Sequence, residues 1–340
     1  MHSVVRCAFV GLLTVAGTSV AFAQTKPRDL AQVSLEELLR IKVTSASRKE
    51  QRVSDTPSAV YVLTQDDIRR SGIRTLPELF RLVPGMQVAQ INANNWAVSA
   101  RGFNDLWSNK LLVLVDGRSI YTQQFSGVFW RDQDLALDDI ERIEVVRGPG
   151  GSVWGANAVN GVINIVTKAA SETTGPLVRL SGGSFDGTQA SVRYGGSWRN
   201  TAYRVYSQWT DRGTSLNPQL ASAGDESRRF TNGFRTDWTG DSNTVMTQAS
   251  IVTGASRPLW TGIMGPTPSL SSPAPSRDDT VVNGTLLARW THAYARGASL
   301  QIQSSADFGT GDDGDGGSVR REPSTSTSSF TRSCRGDTTS

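Results

Sequence analysis

The chain has 340 residues, room for two ordinary domains, and its 35 Lys and Arg against 31 Asp and Glu leave a net charge of only +4. The arginines are scattered along β-prone segments and do not cluster on one element, which fits solvated faces and argues against nucleic acid as a partner. With two histidines (His2, His292) and two cysteines (Cys7, Cys334), the sequence has no material for a Ser/His/Asp triad or a His-based metal site, so catalytic, metal and cofactor-binding residues are all expected to be none.

Residues 1–23 read as a cleaved secretion signal. Arg6 supplies a basic start, the run from Ala8 to Val20 is uncharged and shorter than the roughly 20 residues a spanning helix needs, and Ala21-Phe22-Ala23 suits a signal peptidase before Gln24. Cys7 and His2 leave with it, so Cys334 has no intramolecular partner in an oxidising destination. Residues 24–55 form a lead. Ser34 and Glu37 have capping-box spacing, and Ile41, Lys42, Val43, Thr44, Ser45, Ala46 and Ser47 make a β-prone stretch before a polar run. Such a stretch can add itself to another protein's sheet edge, although on composition alone a plain linker is the favoured reading.

Residues 56–170 read as a compact α+β domain. A strand at Ser58 to Leu63 precedes a helix at Gln65 to Ser71 closed by Gly72, and a second helix from Thr75 to Leu82 ends at Pro84-Gly85. The apolar run Leu111 to Val115 meets Asp116-Gly117, the pair that a type I′ hairpin turn favours. Ile143 to Val146 and Val162 to Val166 are further strands. The Asp66/Asp67, Asp132/Asp134 and Asp138/Asp139 pairs stand beside helix or turn starts, where capping accounts for them.

From residue 176 to 308 the period changes to two. Seven segments of about ten residues place apolar side chains at alternate positions, from Val178 and Leu180 to Ile302 and Phe308, the length a tilted strand needs to cross a bilayer. A soluble sandwich shares that period. Loop lengths separate the two, because connections near Gly196, Asp241 and Tyr294 are short while 211–227 and 254–279 are long. The expected fold is an α+β domain followed by antiparallel transmembrane β-barrel strands.

Two segments carry a family likeness. One joins Val98-Ser99-Ala100-Arg101-Gly102-Phe103 to Leu112-Val113-Leu114-Val115-Asp116-Gly117-Arg118. The other runs from Ile143 through Arg147-Gly148-Pro149-Gly150-Gly151-Ser152-Val153-Trp154-Gly155-Ala156-Asn157 and Gly161-Val162-Ile163-Asn164 to Lys168. This resembles the plug of TonB-dependent outer-membrane receptors. The resemblance implies a plug at 56–170, a TonB box at 41–47, and a 22-stranded barrel set in outer-membrane lipid, of which about seven strands are present at 176–308. It also implies TonB of the inner-membrane energy-coupling complex as partner, pulling on the plug to admit a scarce small-molecule or metal-chelate ligand such as a ferric siderophore, haem or cobalamin. Arg101 and Arg147 are expected to pair with carboxylates of wall or plug, and Gly148, Gly150, Gly151, Gly155 and Gly161 to permit positive φ and close backbone approach.

An enzyme is the competing class. Gly148-Pro149-Gly150 lacks the third glycine of a dinucleotide fingerprint, and Asp312-Asp313-Gly314-Asp315 lacks the closing Glu of a calcium loop. Trp260 and the loop 258–275 are candidate ligand contacts. Alternation stops after Phe308, so residues 309–340 read as a disordered or out-of-frame tail and the chain as written as a truncated, transport-incompetent receptor. The alternative is a secreted periplasmic plug-like interaction protein or a pseudogene product.

Overall fold

The computed structural model describes residues 42–43, 51–52, 59–105, 108–122, 127–184, 187–216, 222–256, 279–295, 298–313, 317–326 and 331–333. The signal at 1–23, the Ser34/Glu37 capping box, the loop 258–275 with Trp260, and Cys334 lie outside them. Two short strands come first, β1 (Lys42–Val43) and β2 (Gln51–Arg52), paired antiparallel.

The inner domain follows. Strand β3 (Val60–Thr64) leads into helix α1 (Gln65–Ser71), where Thr64 and Asp67 form a reciprocal capping box and Gly72 closes the helix at φ 70°. Helix α2 (Leu76–Leu79) tightens into a 3₁₀ turn at Phe80–Leu82, so the helix expected over 75–82 is regular in its first half only. Two strands without a clear sequence signal come next, β4 (Met86–Gln90) and β5 (Trp96–Ala100), which form a separate antiparallel hairpin. Then follow β6 (Leu111–Val115), β7 (Arg118–Ser119), β8 (Ile140–Arg147), helix α3 (Gly151–Trp154) and β9 (Gly161–Thr167). Their sheet has the order β3-β8-β9-β6-β7, with β6 and β9 parallel. Its core is Leu63, Leu79, Phe80, Val113, Ile143, Ile163 and Ile165, all almost wholly buried, with Phe80 edge-on to Trp130 at 5.2 Å.

The β6–β7 turn is the expected one. Asp116 and Gly117 both have positive φ (49° and 78°), and Val115 pairs with Arg118 across it.

A meander of long antiparallel strands forms a wall: β10 (Gly175–Gly183), β11 (Gly187–Trp198), β12 (Thr201–Arg212), β13 (Ser227–Thr239), β14 (Asn243–Ser256), β15 (Asp279–Ala293) and β16 (Ser299–Asp313). Its apolar face points away from the protein. Leu180 and Val178 are 76% and 67% exposed, and the rung Tyr194–Val205–Phe234–Ala249–Leu286 continues that face across five strands. The next rung inward, Arg204–Arg235–Gln248, is polar and faces the inner domain. Apolar outside and polar inside is the inverse of a soluble sandwich and the arrangement of a membrane barrel. On β13 the outward aromatics Phe230 and Trp238 are eight residues apart, about 27 Å at 3.4 Å per residue, close to the height of an outer-membrane apolar band. No helix among the described residues is long and apolar enough to cross a membrane.

The sheet does not end at Phe308. Strand β16 runs on to Asp313, β17 (Gly317–Ser326) pairs with it, and β18 (Thr331–Ser333) pairs with its first residues, so the wall has nine strands among the described residues where about seven were expected. Backbone pairing along this edge needs no apolar period. The ladder skips Glu322-Pro323, where a register shift opposite Phe308 accommodates a proline that cannot donate. Within the tail at 309–340, residues 317–326 and 331–333 pair as strands, where disorder was one expectation.

Candidate functional site

The glycine-rich segment between β8 and β9 is a tight structural knot. Gly148 and Gly155 have positive φ, as expected, and Asn157 stands at φ 72°, a region Asn tolerates better than most residues. Gly161 faces a different constraint, since a Cβ there would lie 2.6 Å from the Val146 carbonyl oxygen. Gly150 is packed against Val162, whereas Gly151 has neither positive φ nor crowding and simply opens α3. Pro149 sits in the turn between β8 and α3, and Asn164 approaches the fully buried Glu144 at 3.5 Å.

Arg101 and Arg147 do not bind carboxylates among the described residues. Arg101, at φ 58° beside Gly102, donates to the Arg147 carbonyl at 3.2 Å, and Arg147 donates to the Pro84 carbonyl at 3.0 Å. These two guanidiniums tie the inner domain's own turns together. The wall carboxylates Asp211, Asp237 and Asp307 are engaged elsewhere, by Arg228, Arg235 and Arg118.

Charge complementarity between domain and wall mostly runs the other way: the inner domain supplies acid and the wall supplies base. Asp138 pairs with Arg179, while Asp139 pairs with Arg193 and lies 3.5 Å from Arg204. Asp134 accepts from Gln208 at 3.0 Å and Thr231 at 3.1 Å. Asp134, Asp138 and Asp139, expected to be caps, thus serve as docking groups, while Asp132 lies 3.7 Å from Arg131 of its own domain. Arg118 with Asp307, at 2.6 Å, is the reversed pair.

Asp116 is the hub of a second contact. Its carboxylate accepts the Thr167 amide at 2.9 Å, the Thr167 hydroxyl at 2.8 Å and Gln248 of the wall at 3.1 Å, and its carbonyl accepts from Arg289. The link from β9 to the wall is fixed too. Arg235 donates to the Thr167 carbonyl and hydroxyl, Arg204 to the Lys168 carbonyl, and the Ala170 amide to Asp237. Burial and the nearby Arg193 hold the Lys168 ammonium below its ordinary range, and its N–H donates to the Asp138 carbonyl.

At the opposite, long-loop end, Asp225 is fully buried. It accepts the Ala93 amide of the β4–β5 tip at 2.7 Å and, from its own loop, the Ser215 amide and hydroxyl at 2.6 Å each and the Thr214 hydroxyl at 3.0 Å. Arg212, at the start of the same loop, stacks over Trp96 at 5.0 Å. Sequence reasoning missed this contact, because nothing local marks one Asp in a polar loop.

Of the seven residues at 41–47, Lys42 and Val43 are described. They pair with Arg52 and Gln51, and Val43 is buried. Ile41, Thr44, Ser45, Ala46 and Ser47 lie outside the described residues. No group of three or more metal-ligating side chains occurs among the described residues.

Residues 52–162 match the family described as the TonB-dependent receptor plug domain. The inner domain is a TonB-dependent receptor plug. It is followed by the wall of long antiparallel strands. The plug half is similar to a vitamin B12 transporter of Vibrio cholerae, 37% identical over 153 residues, covering 45% of this chain and 24% of the relative. A vitamin B12 transporter of Vibrio vulnificus is 33% identical over 144 residues, 42% of this chain and 23% of the relative. The chain thus spans about a quarter of the length of these relatives. In fold it is similar to the ferripyoverdine receptor of the Pseudomonas aeruginosa outer membrane (TM-score 0.61, 16% identity, 80% of this chain and 36% of that one). It is likewise similar to the alcaligin outer-membrane receptor of Bordetella pertussis (TM-score 0.60, 17% identity, 79% and 42%).

Proposed function

We propose that the protein acts in the outer membrane as a receptor for TonB-coupled uptake of a scarce ligand, a ferric siderophore, haem or cobalamin. The observation that carries this reading is a plug bound through buried charge pairs to the polar face of a wall whose outer face is apolar. That arrangement blocks a lumen with a domain held by polar contacts, which water can replace one at a time as the plug is pulled. Proteins that it resembles include vitamin B12 transporters, a ferripyoverdine receptor and an alcaligin receptor, which supports the ligand class.

TonB is the partner in this reading, pairing as an added strand with residues 41–47. Strand addition transmits force through backbone hydrogen bonds and asks little of side-chain identity. Lys42 and Val43 already pair with β2 on one side, so TonB takes the other edge of β1 or displaces β2.

Single-cysteine variants across 41–47, expressed with cysteine variants of the periplasmic domain of TonB, test the partner. Alternate-position disulfide crosslinks are expected, and the absence of any crosslink would contradict it. Binding of cyanocobalamin and of ferric siderophores to the purified chain tests the ligand class, with saturable binding of one of them expected.

A further inference from the structure

The loop joining β12 to β13 grips the plug at both ends. At its start, the Arg212 guanidinium stacks on Trp96 at 5.0 Å. At its end, Asp225 accepts the Ala93 amide at 2.7 Å, the Asn94 side-chain amide donates to the Asp225 carbonyl, and the Ser227 hydroxyl donates to the Asn94 side chain. All of these plug groups belong to the β4–β5 tip. The same carboxylate also closes the loop on itself through Thr214 and Ser215.

One side chain therefore satisfies donors from two bodies: three from its loop and one from the plug backbone. It is fully buried, and a buried carboxylate is stable only while those donors stay in place. Without Asp225 the Ala93 N–H loses its acceptor.

We propose that Asp225 is a pin that makes the loop ends at 213–216 and 222–226 and the plug tip at 91–95 a single mechanical unit, so that the plug cannot withdraw from the long-loop face without drawing those loop ends inward or breaking the pin. The proposal rests on the receptor reading for its use, since it links a surface loop to plug position. Asp225 is a positioning residue in that reading: it acts through Ala93 and the loop and touches no ligand itself.

Amide hydrogen exchange on the purified full chain in detergent tests it, with wild type, Asp225→Ala, Asp225→Asn and Asp211→Ala compared. Asp211 is a carboxylate at the same loop base that pairs with Arg228 of the neighbouring strand. In Asp225→Ala the amides of Ala93 and Ser215 are expected to exchange at least tenfold faster together, while β6 and β9 keep their protection and Asp211→Ala leaves both segments unchanged. Asn keeps one acceptor oxygen and is expected to fall between; it carries the test if the Ala variant does not fold. Faster exchange at Ser215 with Ala93 unchanged, or equal loosening in Asp211→Ala, would overturn the pin. The measurement uses neither ligand nor TonB, so a failed pin leaves the receptor reading standing, and failed ligand binding leaves the pin standing.

Discussion

Arg204 and Arg235 face each other on neighbouring wall strands, two like charges on one rung of the sheet. Such a rung is destabilising unless something neutralises it. Asp237 from the wall bonds Arg235 at 2.9 Å, and Asp139 from the plug stands 3.5 Å from Arg204. The wall is thus built with a charge deficit that the plug fills.

Asp139 is consequently the residue whose loss the plug–wall contact tolerates least. Asp139→Ala leaves Arg204 and the mostly buried Arg193 without their carboxylate, and is expected to cost about 3–5 kcal/mol, the range for breaking a buried pair. Denaturant titration of plug tryptophan fluorescence measures it, and a loss under 1 kcal/mol would show the contact to be decorative.

Asp116 holds a turn and a junction together. Asp116→Ala strands the buried Thr167 amide and is expected to lower stability by about 2–4 kcal/mol, one or two orphaned donors at about 1–3 kcal/mol each. Asp116→Asn keeps an acceptor and tolerates positive φ, so about half that loss is expected. Thermal unfolding of the two variants separates the hydrogen bonds from the backbone conformation.

Gly161→Ala places a methyl group 2.6 Å from the Val146 carbonyl, a backbone atom that cannot move aside without parting β8 from β9. Overpacking of this kind costs about 1–3 kcal/mol or more. Limited proteolysis is expected to cut the plug of this variant and spare the wild type, whereas Gly151→Ala, with no such neighbour, is expected to behave as wild type.

Acid is expected to loosen the long-loop contact. Burial pushes the Asp225 carboxyl up, and the N–H and O–H donors of Ala93, Ser215 and Thr214 more than reverse it, leaving it below the ordinary value of 3.8. A depressed carboxyl contributes stability that is fully present above that ordinary value and is lost as pH falls through its own lower one. Protection of the Ala93 amide is expected to hold from neutrality to about pH 4 and fall below it, and Asp225→Asn to remove that dependence.

Much of this was legible in the sequence, for reasons tied to period and local geometry. Alternation from Val178 onward reports strands, and the Asp116-Gly117 pair reports its turn, because each signal lies within a few residues. The sense of the plug–wall charges was not legible. Asp139 and Arg204 are 65 positions apart in the chain, and only the fold decides which carboxylate meets which guanidinium. Arg101 and Arg147 looked like docking groups for their charge, yet they bind nearby carbonyls. Strands β4 and β5 are short and separated by an Asn-rich turn, and β17 carries no apolar alternation, so neither left a periodic trace.

The claim on which the rest depends is that this wall has its apolar face in lipid and its polar face on the plug. Spin labels placed singly at positions 203 to 210 of β12, with the chain in lipid bilayers, test it by accessibility to oxygen and to a water-soluble nickel chelate. The expected result is a period of two, with 203, 205, 207 and 209 open to oxygen and closed to nickel, and 204, 206, 208 and 210 closed to both. Nickel access at 205 and 209 equal to that of a surface loop would contradict the account.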